Sequence, residues 1–231
     1  MINYRYVSFL VVLLTLTLPI ACKKKTPITD SHLKPDPCTT GDEYFPPASA
    51  TWSGRGLHFG ADQVEWESEF LRRMQEPSLY KCADIANEPE YRFLWDRSLS
   101  EPIAARLVVH KNGSGTLFVH MLANSGLPPP PEHGEKPSTP DNWYQMKIDQ
   151  QIKISPEEVA TALGYFHQIS FWNARPRGET TDGSDWIFES KVQGQYRLVD
   201  FRNVPSPAAK AFGLYLVLTI AKLSIDRRTI Y

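Results

Sequence analysis

Two stretches carry most of the side chains with which this chain could do chemistry. One is "TDGSDWIFES", with Asp182, Asp185 and Glu189; the other is "YRFLWDR", with Arg92. Carboxylates that converge in a fold can share general acid and base work, and so hydrolyse a small substrate. Asp182, Asp185 and Glu189 are the candidates for that role. Their spacing is not that of a calcium loop, and "TTDGSDW" reads first as a turn. Arg92 and Glu189 could form a paired site on exposed strand faces, although charges of this kind are ordinary on a sheet surface. Among six histidines, His110 and His120 share strand parity on either side of the turn "KNGSG". If His110 faces Thr116, His120 faces Arg106, and the ladder then holds the two imidazoles too far apart to share a metal. Ser114 sits in the turn rather than in a GxSxG elbow, and the chain has no phosphate loop, dinucleotide fingerprint, HExxH or CxxC. No catalytic residue, metal or cofactor is assigned from the sequence.

The cysteines say more about place than about catalysis. After one charged side chain, Arg5, residues 7–20 are almost unbroken apolar sequence. Fourteen helical residues reach roughly 21 Å, short of a hydrocarbon core of roughly 30 Å, so the run fits a secretory signal better than a span. It ends in "LPIACKKK", which resembles a bacterial lipobox: a small residue, Ala21, precedes Cys22, with Leu18 one place further out than usual and Pro19 in the customary leucine position. The resemblance implies that residues 1–21 are removed and that Cys22 is acylated and holds the protein to membrane lipid. Two or more acyl chains anchor stably where one does not. Lys23, Lys24 and Lys25 would lie at anionic headgroups. In sorting as known for enterobacteria an Asp after the cysteine retains a lipoprotein in the inner membrane; Lys23 stands there instead, which favours the outer membrane, facing the periplasm.

Cys38 and Cys82 remain. Two thiols in an oxidising compartment are expected to pair, and closing the long loop between them would stabilise by roughly 4 kcal/mol on a chain-entropy estimate. Residues 22–49 have the composition of a tether, with Pro27, Pro35, Pro37, Pro46 and Pro47 among Lys, Asp, Thr and Gly. Residues 50–231 then form the folded domain, large enough for a sizeable core at 42% hydrophobic residues in the chain. The formal net charge is -1, which offers no field to gather phosphates and argues against nucleic acid as a partner.

The elements that must position these groups are a mixture of helix and antiparallel strand. Residues 61–75 place Val64, Phe70, Leu71 and Met74 on one helical face, ended by Pro77. Residues 91–99 alternate with Tyr91, Phe93, Trp95 and Leu99 on one side, the pattern of a half-buried strand. Hairpins are expected over 103–110 and 116–122, and over 186–201 around "VQGQ". Residues 143–154 alternate most cleanly, with Tyr144, Met146, Ile148, Ile152 and Ile154 inward and Gln145, Lys147, Asp149, Gln151 and Lys153 outward. "SPEE" then caps a helix with Ser155, Pro156 and Glu158, whose apolar stripe is Val159, Leu163, Phe166 and Ile169. A last helix is capped by Ser206 and runs 207–225; its stretch 211–221 is apolar all round apart from Thr219 and, at eleven residues, too short to span a bilayer, which makes it a buried core helix. Trp66, Trp95, Trp172 and Trp186 are expected in the core. The expected fold is thus α+β in a single domain: an antiparallel sheet of about five strands with the helices packed on one face. Residues 123–142 hold six prolines and form a loop able to present polyproline to a partner or simply to stand in solvent.

"YRFLWDRSLSEPIAARL", "TDGSDWIFESKVQGQYRLVDF" and "AFGLYLVLTIAKL" resemble an uncharacterised bacterial family of predicted exported proteins and lipoproteins, over residues 91–223. Its aromatic strand is matched by residues 91–95 and its hairpin by Asp182, Gly183, Trp186, Glu189, Gly194 and Tyr196. The resemblance implies an architecture and no mechanism. Two functions are compatible with the whole: a lipid-anchored module that binds an envelope protein or ligand, or a small periplasmic hydrolase. A deep pocket lined by two of the named carboxylates would favour the hydrolase, and a shallow apolar patch the binder.

Overall fold

In the computed structural model, residues 44–46, 61–83, 88–97, 100–124, 145–171, 183–202, 205–226 and 230 are described. All of them belong to one compact unit, Pro35–Tyr231. Helix α1 is Ala61–Arg73, followed by strands β1 (Glu90–Arg97), β2 (Ser100–Val109), β3 (Gly115–Leu122) and β4 (Met146–Ile154), helix α2 (Pro156–Gln168), strands β5 (Ser184–Val192) and β6 (Gln195–Arg202), and helix α3 (Pro207–Leu214). The fold is α+β, with one antiparallel sheet. Its strands number six rather than about five, in the order β4-β3-β2-β1-β5-β6.

That order puts β1 in the middle, hydrogen-bonded to β2 on one side and to β5 on the other. Tyr91, Phe93 and Trp95 share one face with Ile103, Leu107, Leu117, Val119, Trp186 and Phe188, and there they pack on α2 and α3. The rings interlock, with centroids 4.7 Å apart for Trp95–Trp186, 5.0 Å for Phe93–Phe188 and 5.2 Å for Phe166–Phe212. Contacts of this kind add to the area term that makes large aromatics dominate a core.

The expectation that the helices lie on one face holds only for α2 and α3. Phe70, Leu71 and Met74 of α1 pack with Leu94, Ala104, Leu122, Ile187 and Leu198 on the opposite face, so the sheet is covered on both sides. β1 is accordingly buried on both faces rather than half-buried. Tyr44 and Phe45 are part of this second core as well, which moves the folded body's boundary upstream of residue 50. An aromatic pair inside a proline-rich segment has no periodicity to reveal it, and only the uncovered sheet face gives it a partner. At the edge, β4 keeps the expected alternation: Lys147, Asp149, Gln151 and Lys153 are exposed, and their neighbours are half-buried until Ile154.

Local chemistry sets the element ends. Ser155 Oγ accepts from the Glu158 N–H and the Glu158 side chain accepts from the Ser155 N–H, which completes the capping box. The β5–β6 turn places Gln193 and Gly194 at φ 53 and 75, the left-handed pair that a two-residue hairpin requires. α1 stops at Gln75, at φ 57, where the Glu76 N–H donates to Leu71 O at 2.9 Å and turns the chain back toward the sheet. The last helix ends sooner than expected. α3 widens into a π-helical segment, Tyr215–Ile220, and closes at Lys222, at φ 55. Gly213 lies so close to the Phe93 ring that a Cβ there would come within 2.7 Å of it. The last helix is fully buried on one side only, through Ala209, Phe212, Gly213, Leu216, Val217 and Ile220, and Thr219 is exposed. Among the described residues no helix is long and apolar enough to cross a membrane.

The first hairpin also differs in register. Val109 pairs with Gly115, so His120 faces Ala104 rather than Arg106. His110 lies beyond the ladder, its Nε2 2.9 Å from Thr116 Oγ1 and its Nδ1 3.0 Å from Glu88 Oε1. The tight turn, with the His110 N–H donating to Ser114 O and Gly113 at φ 84, takes up residues that the looser pairing left in the strands.

Candidate functional site

The face of the sheet beneath α1 carries a network of charges. Register brings Arg92 opposite Arg106 on β2 and opposite Glu189 on β5. Two arginines side by side repel, and here acids satisfy both. Arg92 Nε donates to Glu189 Oε2 at 2.5 Å, and Nη1 donates to Pro77 O at 2.6 Å and approaches Glu76 Oε2 at 3.4 Å. Arg106 Nε donates to Glu76 Oε2 at 2.7 Å and its Nη1 to Glu90 Oε2 at 3.0 Å, with the guanidinium 4.3 Å from the Phe118 ring centroid. Lys191 Nζ donates to Glu90 Oε1 at 2.5 Å, and Tyr196 Oη donates to Glu189 Oε1 at 2.9 Å. Glu76, Arg92 and Glu189 are all 0% exposed.

Three acids, Glu76, Glu90 and Glu189, therefore meet three bases, Arg92, Arg106 and Lys191, and the charges cancel. Burial by itself would raise the pKa of Glu76, but Arg106, the hydrogen bond from His120, and Arg92 outweigh it and hold the carboxyl at about 2. At Glu189 burial wins and the pKa is raised, although Arg92 opposes it. Burial, with Glu189 beside it, pushes the Tyr196 hydroxyl well above its usual value. His120 connects the network to solvent: Nδ1 is 2.8 Å from Glu76 Oε1, and Nε2 is 3.3 Å from Oδ1 of Asp149, whose side chain is 75% exposed.

A second cluster lies further along β1. Asp96 and Asp185 are cross-strand partners, and with Glu67 of α1 they bring carboxylate oxygens within 4.8 Å of one another. Burial and then Asp185 push the Asp96 pKa up to about 6, against the neighbouring side chains of Trp66 and Glu67 and the charge of Arg97. By geometry such a group could be neutralised by a proton or a hard cation.

On the other face of the sheet, a cleft of about 280 Å³ opens at the C-terminal end of α2. Tyr91, Phe166, Phe171 and Val192 line it together with Ser190. Ser190 is 0% exposed, and its Oγ has no hydrogen-bond partner.

The structure joins Arg92 and Glu189, as the sequence allowed, but in the interior. They are not a functional surface, because α1 and the turn after it cover the face on which they stand. Asp185 and Glu189 do not converge. They are four residues apart on one strand, about 13 Å at 3.3 Å per residue, and each belongs to a different cluster. Asp182, Cys22, Cys38, Trp172 and the proline-rich loop after Asn124 lie outside the described residues. Cys82 is buried, at 3% exposure, and disulfide-bonded. Glu76, Glu90, Arg106, Lys191 and Tyr196 were not identified from the sequence as site residues. The shared parity of Glu189 and Lys191 in "ESK", and of Glu90 and Arg92 in "EYR", was a usable signal; Glu76, in a turn before Pro77, offered none.

No protein-family model matches the chain, and no curated protein or solved structure matches it either.

Proposed function

We propose that the chain is a bacterial lipoprotein, held to membrane lipid through acylated Cys22 and facing the periplasm, whose folded domain is a binding or envelope-interaction module for an envelope protein or ligand. The observation that carries the choice of binder over enzyme is the burial and charge balance of the Arg92 network. Glu189 is fully buried, with one oxygen held by Arg92 and the other by Tyr196, so it is not presented to a substrate or to bulk water. The cleft, in turn, is lined by no carboxylate among the described residues. A hydrolase would need at least one carboxylate presented to substrate in a concave site.

The hydrolase reading keeps one supporting observation: Asp96, held at about 6 beside Asp185, has the pKa of a group able to exchange protons near neutrality. A pull-down from envelope extracts with the acylated chain, run beside the Cys22→Ser variant and a panel of ester, amide and glycoside substrates, separates the two. Capture of a saturable envelope component without turnover supports the module. Turnover abolished by Asp96→Asn supports the enzyme. Fatty-acid labelling equal in the Cys22→Ser variant and the parent would refute the anchor.

A further inference from the structure

We infer that the cleft at the end of α2 is a binding site for a small, neutral, ring-bearing molecule of about the size of a bicyclic aromatic, with one hydrogen-bonding group directed at Ser190 Oγ. The inference rests on the module reading and assigns it a ligand class. Size comes first. A cavity of about 150 Å³ accommodates benzene, and this cleft, at about 280 Å³, is nearly twice that. Chemistry follows from the lining. Tyr91 and Phe166 stand edge to face, with centroids 4.7 Å apart, and Phe166 and Phe171 are equally close at 4.7 Å, so three aromatic rings from β1, α2 and the turn that follows α2 form one wall. Ring faces and edges of this kind favour a flat partner. Among the described residues no Asp, Glu, Lys or Arg lines the cleft; Arg197 stands 6.0 Å from the Phe171 centroid without reaching the lining. A charged ligand would therefore lose its hydration with nothing to replace it.

Ser190 supplies the polar contact. Its partner across the ladder is Tyr91, and both side chains lie on the α2 face. A buried hydroxyl with no partner gives up a hydrogen bond to water that the fold does not return by itself. A ligand oxygen or N–H placed in the cleft would recover it, since a hydroxyl both donates and accepts. His167 and Ser170 at the mouth keep the entrance polar.

The test uses 2-naphthol and naphthalene as probes, titrated calorimetrically into the full chain in detergent. Ser190→Ala and Val192→Trp chains serve as controls, so that partition into micelles is common to every arm. The parent should bind 2-naphthol saturably, with Kd below about 1 mM, and prefer it to naphthalene. Ser190→Ala should weaken 2-naphthol about tenfold, or about 1.4 kcal/mol, leave naphthalene unchanged and melt no lower than the parent. Val192→Trp, which fills the cleft, should bind neither probe. Absence of saturable heat with the parent overturns the site, as does a folded Val192→Trp chain that binds like the parent. If Ser190→Ala fails to fold, the preference of the parent for 2-naphthol over naphthalene decides the role of the hydroxyl. A chain that ignores both probes yet still captures an envelope component refutes this site and leaves the module reading standing.

Discussion

Glu76→Gln isolates the energetic centre of the buried network, and its cost should depend on pH. Glu76 is fully buried and is the one acid shared by Arg92, Arg106 and His120. Gln keeps its shape and one acceptor but removes the charge, leaving two acids against three bases. Breaking one partner of a buried ion pair costs about 3–5 kcal/mol. The pKa gives a second, independent figure. The carboxyl falls from 4.5 to about 2 on folding, which at about 1.36 kcal/mol per pH unit is about 3 kcal/mol. A folded-state pKa below the unfolded one means that this stability is present above about pH 4.5 and is lost as the pH falls toward 2. At pH 7 the substitution should therefore cost about 3 kcal/mol in a urea melt. At pH 3 the parent has already lost most of that advantage, and the difference should shrink to about 1 kcal/mol; near pH 2 it should almost vanish. Groups remote from the network titrate alike in the two proteins, so the difference reports Glu76 together with the neighbours it is coupled to, His120 and Glu189. A cost under 1 kcal/mol at pH 7, or one that stays constant from pH 7 to 3, would refute the assignment of Glu76 as the charged hub.

Asp96 should show the opposite sign. Its folded pKa, about 6, lies above the ordinary 3.8, so the stability linked to its protonation is present below about pH 4 and lost as the pH rises through 6. Asp96→Asn should melt higher than the parent at pH 8, by up to about 3 kcal/mol, and equal to it at pH 4; equal melts at both would refute the shift. Leu216→Asp, at a side chain with no exposure in the π-helical segment, should unfold the domain. Lys147→Asp, at a half-exposed side chain paired with Glu101 on the edge strand, should cost under about 1 kcal/mol, and similar effects in thermal melts would overturn the assignment of faces. We also propose that Cys38 is the partner of Cys82: alkylation of periplasmic protein without reductant should leave intact mass free of label, and labelling at either position in folded protein would refute the bridge.

What the sequence determined by itself was local. Ser155, Pro156 and Glu158 specify a helix start because the capping bonds join residues three apart. The alternation of residues 146–154 specifies one wet face, and "VQGQ" a two-residue turn, because both depend on backbone periodicity and allowed φ values alone. The proposed anchor at Cys22 likewise rests on a reading along the chain. The order of the strands, and with it the nature of the candidate site, was decided only in three dimensions. Arg92 and Glu189 carry the same charges on a wet sheet as under a helix, and nothing within their strands says which they will meet. α1 and the pair Tyr44 and Phe45 cover that face, and their covering turns two surface charges into an interior pair that must be neutralised. Glu76 enters because the turn after α1 aims it there. Ser190 was unremarkable among alternating residues until the end of α2 closed over it and left its buried hydroxyl without a hydrogen-bond partner from the protein. Burial is a property of the assembled layers, and it decides which polar groups are scaffold and which are left available to a ligand.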